Sequence, residues 1–155
     1  MFTVDKWGRK PLIISGSLGM LIGFLMLGLT LMTNTIGILS LIGILVFIGS
    51  FAMSMGPVVW VLLSEMFPNS IRSAAMSVAV AVQWGMNYVV SQSFPIVVES
   101  EMNNNAFWNG ALPYFIFTFF ILIIIGFTMK YIPETKGKSL EDLEKILKGR
   151  YGTIS

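Results

Sequence analysis

The stretch GPVVWVLLSEMFPNSIRS, residues 56–73, decides how this chain is read. It opens inside an apolar run with Gly56 and Pro57, two residues that an unbroken spanning helix avoids. Proline has no N–H to give the carbonyl four residues back, and its ring crowds that turn. The helix is therefore expected to bend or open near Met53–Pro57. Breaks of this kind persist in a membrane where they face protein or a wet cavity, and transporters often build binding sites on them. Trp60 follows by about one turn, and Glu65, Pro68 and Arg72 close the stretch. Trp60 has two readings at this stage, a site residue beside the break or an interfacial belt tryptophan.

The composition agrees with a membrane protein. Of 155 residues, 55% are hydrophobic and 12% charged, where soluble domains carry about 25% charged residues. Mean hydropathy is +0.78. Four apolar stretches, about 11–32, 38–63, 74–98 and 112–132, are each long enough to cross a hydrocarbon core of about 30 Å. No Asp, Glu, Lys or Arg occurs in 11–64, 73–98 or 102–129. In lipid the backbone must satisfy its own hydrogen bonds, so these stretches are expected to be helices. The short alternating segments of a β-barrel are not visible. The expected fold class is thus an all-α membrane protein with four transmembrane helices. Stretch 11–32 exceeds the apolar core of a signal peptide, and no small-residue cleavage site follows it.

All ten basic residues flank one side of these spans, at Lys6, Arg9, Lys10, Arg72, Lys130 and beyond. The opposite loops, TNTIG (33–37) and ESEMNNNAFWNGA (99–111), carry none. The positive-inside rule places both termini in the cytoplasm. A net charge of +2 gives nucleic-acid binding no support. The absence of Cys and His removes disulfides, thiolate metal sites, the commonest metal ligand and the commonest general base. No cofactor or metal site is expected, and without a buried acid in the spans an enzyme is the least supported class. A small drug exporter would use an intramembrane carboxylate, and the spans contain none.

In the first span, Ser15, Gly19 and Gly23 recur every four residues as a small-residue stripe, which is read as helix packing. In the third, Gln83, Asn87 and Ser91 recur every four residues, flanked by Trp84 and Tyr88. Trp84 lies near the middle of its span, where a belt tryptophan does not belong. One reading of the polar stripe is interhelical hydrogen bonding. The other is a neutral polar ligand, with amides for hydroxyls and aromatic faces for C–H surfaces, chemistry that a sugar matches. After the last span, Leu140, Leu143, Ile146 and Leu147 share a helical face. Ser139 with Asp142 resembles a capping box and Gly149 a C-cap. That face is expected to meet either the cytoplasmic mouth or lipid.

Four motifs carry a resemblance. VDKWGRKPL (4–12) resembles the D-x-x-G-R-[RK] loop of the major facilitator superfamily. GPVVWVLLSEMFPNSIRSAA (56–75), VQWGMNY (82–88) and PETKGKSLEDLE (133–144) resemble, in order and spacing, segments of its sugar porter family. Within that family the chain most resembles bacterial D-xylose–proton symporters. The resemblance implies a C-terminal fragment of a twelve-helix fold: a cytoplasmic loop over 1–10, helices nine to twelve over 11–132, and a cytoplasmic tail over 133–155. It implies that Trp60, Gln83 and Trp84 contact a monosaccharide, with Asn87 supported only by the stripe. It implies a gating break at Gly56 and Pro57, and a cytoplasmic charge network of Asp5, Arg9, Glu65, Arg72 and Glu134. The implied partners are a monosaccharide, the bilayer of the inner (plasma) membrane, and eight preceding helices. The coupling carboxylate of the family sits on its first helix, so this chain alone is expected neither to couple protons nor to transport. The remaining alternative is a non-transporting fragment or membrane interaction module.

Overall fold

The structure, a computed structural model, describes residues 8–67 and 69–132. Asp5, Pro68, Glu134 and the tail with its Ser139–Gly149 segment lie outside the described residues. Among the described residues five helices follow in order: α1 (Arg9–Met32), α2 (Ile38–Met53), α3 (Met55–Met66), α4 (Arg72–Glu99) and α5 (Leu112–Tyr131). Arg9–Met32, Leu112–Tyr131 and the run Ile38–Glu65 across the α2–α3 break are long and apolar enough to cross a membrane. α4 has 28 residues and the necessary length, but it is not among them. Its Gln83, Asn87, Ser91, Gln92 and three further serines dilute its apolar character.

α1 is the central post, and its glycines make that possible. Gly23 and Gly43 bring α1 and α2 into backbone contact: a methyl on Gly23 would come 2.7 Å from Gly43 O and 2.8 Å from Phe47 N. Beside this crossing Phe24 stacks on Phe47, with centroids 4.2 Å apart. Further along, Ser40 Oγ donates to Thr30 Oγ1 at 2.9 Å, and Thr30 Oγ1 donates to Leu27 O. Each hydroxyl is thereby satisfied in an apolar seam, where an unpaired one is costly. The small-residue face is Gly16, Gly19 and Gly23, not the expected Ser15, Gly19 and Gly23. Ser15 is exposed and donates to Leu12 O at 3.1 Å. A glycine leaves more room for α2 than a serine, so the seam turns by one residue.

On its other side α1 meets α5. Phe115 lies over Gly28, and Phe117 stacks on Phe24 at 5.7 Å. Lys10 Nζ donates to Met129 O at 2.8 Å. A cation is favourable there because the last carbonyls of α5 carry the negative end of its dipole. The loop between α4 and α5 folds around Asn103, which is 1% exposed. Its Nδ2 donates to Val98 O at 2.8 Å, and its Oδ1 accepts from Leu112 N at 3.1 Å. Asn109 Nδ2 donates to Leu31 O at 2.7 Å and ties the same loop to the end of α1. The Asn103–Asn105 run is thus part of an ordered cap.

The close α1–α2 crossing yields a stability prediction. Gly23→Ala is expected to lower the thermal midpoint of the detergent-solubilised chain, with overpacking against backbone costing about 1–3 kcal/mol. Gly126→Ala, where a methyl meets nothing within 4 Å, is expected to leave that midpoint unchanged. Differential scanning fluorimetry of the two variants checks both.

Candidate functional site

The α2–α3 interruption falls at Ser54, whose φ of −123° and ψ of −80° are not helical. Gly56 and Pro57, the residues expected at the break, lie in the first turn of α3. The physical reason is local. Pro57 cannot serve the carbonyl of Met53, so the ladder fails one turn upstream of the proline, while proline itself is tolerated in a first turn. Ser54 N turns to Phe51 O at 3.3 Å, and Val58 N bonds Ser54 O at 2.9 Å to start α3.

Beyond the break, α3 has two sides. Val58 and Leu62 are buried in a cluster with Leu12 and Ile13 of α1. Trp60 stands on the other side and is 38% exposed. It borders a cleft of about 900 Å³ together with Gly56, Phe24, Phe117, Ala79 and Gln83. Helices α1, α2, α3, α4 and α5 all contribute to its wall. Among the described residues no charged side chain lines it, and the Gln83 carboxamide is the one amide on it. The Trp60 indole adds an N–H donor and an aromatic face. The cleft therefore suits a neutral molecule with both hydroxyls and C–H surface, and disfavours an ion.

The expected contacts separate here. Gln83 and Trp60 share the cleft. Trp84 and Asn87 do not border it: Trp84 is 66% exposed, and Asn87 is exposed with its Oδ1 accepting from Ser91 Oγ at 3.3 Å. No residue of α4 is buried. The helix stands against α5 through Phe94 and Phe117, stacked at 6.1 Å. The polar stripe is thus not consumed by hydrogen bonds to other helices among the described residues. The aromatic floor of Phe24, Phe47 and Phe117 had no sequence signal, because 12 phenylalanines are spread through the apolar runs.

At the helix ends opposite the 99–111 loop, Arg9 Nη2 donates to Glu65 Oε1 at 2.6 Å, with side chains 14% and 27% exposed. This pair ties the start of α1 to the end of α3. Arg72, expected in the same network, donates from Nε to Phe67 O at 3.2 Å and caps the end of α3 instead. Among the described residues no group of three or more acids could hold a metal ion.

Apolar helices, a proline-associated break and a cleft bordered by indole and carboxamide define a helical membrane protein with room for a neutral ligand. The sequence pattern of the sugar (and other) transporter family matches residues 1–147, and the chain belongs to that family. It is 48% identical over 146 residues to the D-xylose-proton symporter of Escherichia coli K12, covering 94% of this chain and 30% of that one. It is 43% identical over 145 residues to the glucose facilitated diffusion protein of Zymomonas mobilis, covering 92% and 30%. Among solved structures, the inward-open xylose transporter XylE of E. coli superposes with a TM-score of 0.84 at 48% identity, covering 94% of this chain and 31% of that chain. The proton:xylose symporter XylE bound to 6-bromo-6-deoxy-D-glucose superposes at 0.83, also at 48% identity and covering 94% and 30%. The chain therefore spans about 30% of the length of the curated relatives it matches. These relatives are transporters, not enzymes.

Proposed function

We propose that this chain is the part corresponding to helices nine to twelve of a twelve-helix sugar porter, and that it supplies one wall of a monosaccharide site. The observation that carries this reading is the meeting of Trp60 and Gln83 on one uncharged cleft beside the α2–α3 break. Gln83 pairs with sugar hydroxyls while Trp60 covers C–H surface. Trp84, next along α4 and exposed, closes on the sugar from the same helix, and Asn87 extends the polar stripe by one turn. The substrate is D-xylose or a related monosaccharide, moved by proton symport in the assembled carrier. In that carrier the lobes rock about a central site. The chain lies in the inner (plasma) membrane as a multi-pass protein with both termini in the cytoplasm. We also assign Asp5, Arg9, Glu65 and Glu134 to the family's cytoplasmic charge network, with Arg72 beside it on Phe67 O; Asp5 and Glu134 lie outside the described residues.

Proton coupling needs a titratable group in the path. Residues 11–64, 73–98 and 102–129 carry no acid. The chain reconstituted alone is therefore expected to give no xylose-driven alkalinisation of proteoliposomes. Co-expressed with the first eight helices of the E. coli D-xylose-proton symporter, it is expected to take up labelled xylose. Alkalinisation by the chain alone, or an assembled and inserted pair that carries no monosaccharide, would overturn the proposal.

A further inference from the structure

The break has a seat, and it lies on α1. Ser54 is 1% exposed although it is the non-helical vertex between α2 and α3. Its Oγ donates to Ser50 O at 2.6 Å. In an unbroken helix that carbonyl would accept from Ser54 N, which has turned to Phe51 O instead. The hydroxyl therefore replaces the missing backbone bond, and the vertex stays satisfied without water. What allows this polar vertex to be buried is Gly16. A methyl built on Gly16 would overlap both Oγ and Cβ of Ser54 and come 3.2 Å from Ser50 O. One turn further along α1, a methyl on Gly19 would lie 2.8 Å from Cβ of Ser50. Ser50, near the end of α2, and Ser54 at the vertex thus sit in two notches of α1.

We propose that Gly16 is a positioning residue: by seating Ser54 it sets the direction in which α3 leaves α2, and with it the placement of Trp60 and Glu65. The rest of α2 is fixed independently by the Gly23–Gly43 contact and the Ser40–Thr30 bond. A displacement of the vertex therefore passes into α3. α3 has 12 residues, so it is roughly 18 Å long, and a tilt of about 10° at Ser54 moves its far end by roughly 3 Å. The tilt also carries Trp60 along the wall of the cleft it borders. Pro57 accounts for there being a break. Gly16 accounts for where the segment after the break points.

The test is a distance measurement that needs no sugar, so it can fail without touching the carrier reading, and the carrier reading can fail without touching it. The chain has no cysteine, so spin labels can be placed at introduced cysteines in the full chain in nanodiscs. One pair, at Leu45 and Val61, spans the break. A reference pair, at Ile22 and Leu45, reports the α1–α2 crossing. Gly16→Ala is expected to shift the Leu45–Val61 distribution by about 2 Å, since Val61 stands roughly 10 Å beyond the vertex, and to leave the reference pair in place. The double variant Gly16→Ala/Ser54→Gly removes the overlapping atoms and is expected to restore the original distribution. If Gly16→Ala does not fold, refolding of the double variant with wild-type distances supports the seat. An unchanged Leu45–Val61 distribution in folded Gly16→Ala, a shift that Ser54→Gly does not reverse, or failure of the double variant to fold overturns it.

Discussion

Replacing Trp60 by alanine is expected to weaken monosaccharide binding by the assembled carrier about 30-fold, the loss that follows from removing roughly 2 kcal/mol of aromatic contact at a binding hot spot. The expectation rests on where the side chain stands. Val58 and Leu62 carry the packing of α3 on α1, while Trp60 borders the cleft. Truncating Trp60 therefore removes ligand surface and leaves the α1–α3 cluster intact. Trp60→Phe keeps an aromatic face but loses the indole N–H, and is expected to recover most of the affinity. Gln83→Ala removes the amide that borders the cleft, and is expected to cost about 10-fold, the worth of about one hydrogen bond to a neutral partner. Equilibrium binding of labelled xylose to the purified assembly measures all three. Thermal midpoints equal to wild type would separate lost contact from lost folding. A Trp60→Ala carrier with unchanged affinity would remove this residue from the site.

These effects concentrate in residues that the sequence marked for reasons of chemistry, and the contrast with the unmarked ones is physical. Long uncharged runs without period-two alternation leave the helix as the spanning backbone in lipid, so the helical class was legible in the sequence. The break was legible from the missing N–H of Pro57, and its vertex falls inside the expected Met53–Pro57 range, but which residue of that range turns was not legible. Placing it at Ser54 takes a glycine on a helix nearly forty residues earlier in the chain and a hydroxyl that caps Ser50 O. On the packing face of α1, Gly19 and Gly23 were legible and only Ser15 stood in for Gly16, for a related reason. Ser15 and Gly16 are both small, and only the identity of the facing atoms tells them apart. Gln83, Asn87 and Ser91 do share one helix face, but a face has no address until its neighbours are known. The structure takes Gln83 into the cleft and leaves Asn87 and Trp84 exposed. Arg72 shows the limit for charges. A guanidinium after a helix end satisfies a backbone carbonyl as readily as a carboxylate, and here it takes Phe67 O.

Neutralising Glu65 is expected to loosen the end of α3 and open the cleft from that side. The pair it forms with Arg9 is short, 2.6 Å, and only 14% and 27% exposed. Its worth therefore lies between that of a surface ion pair, at most about 1 kcal/mol, and a fully buried one, whose breakage costs about 3–5 kcal/mol. Discounting for the remaining exposure leaves about 1–2 kcal/mol, a change of about 5- to 30-fold between two states of α3. Because the chain has no cysteine, a single cysteine placed at Ala79 on the cleft wall reports opening through its rate of maleimide labelling. Glu65→Gln is expected to raise that rate by about 5- to 30-fold, and Arg9→Gln by a comparable factor. The charge-reversed pair Arg9→Glu/Glu65→Arg is expected to bring the rate back toward wild type, since the attraction survives exchange of its partners even though the geometry is less favourable. A reversed pair that labels as fast as either single variant would show that the two residues act separately. The consequence for a carrier follows from the geometry. Arg9 opens α1, Glu65 sits near the end of α3, and Trp60 lies between that pair and the break at Ser54. A pair that holds one end of a short broken helix sets how far the aromatic wall on that helix can swing, so a modest ionic energy at the helix ends is converted into a change of shape at the cleft.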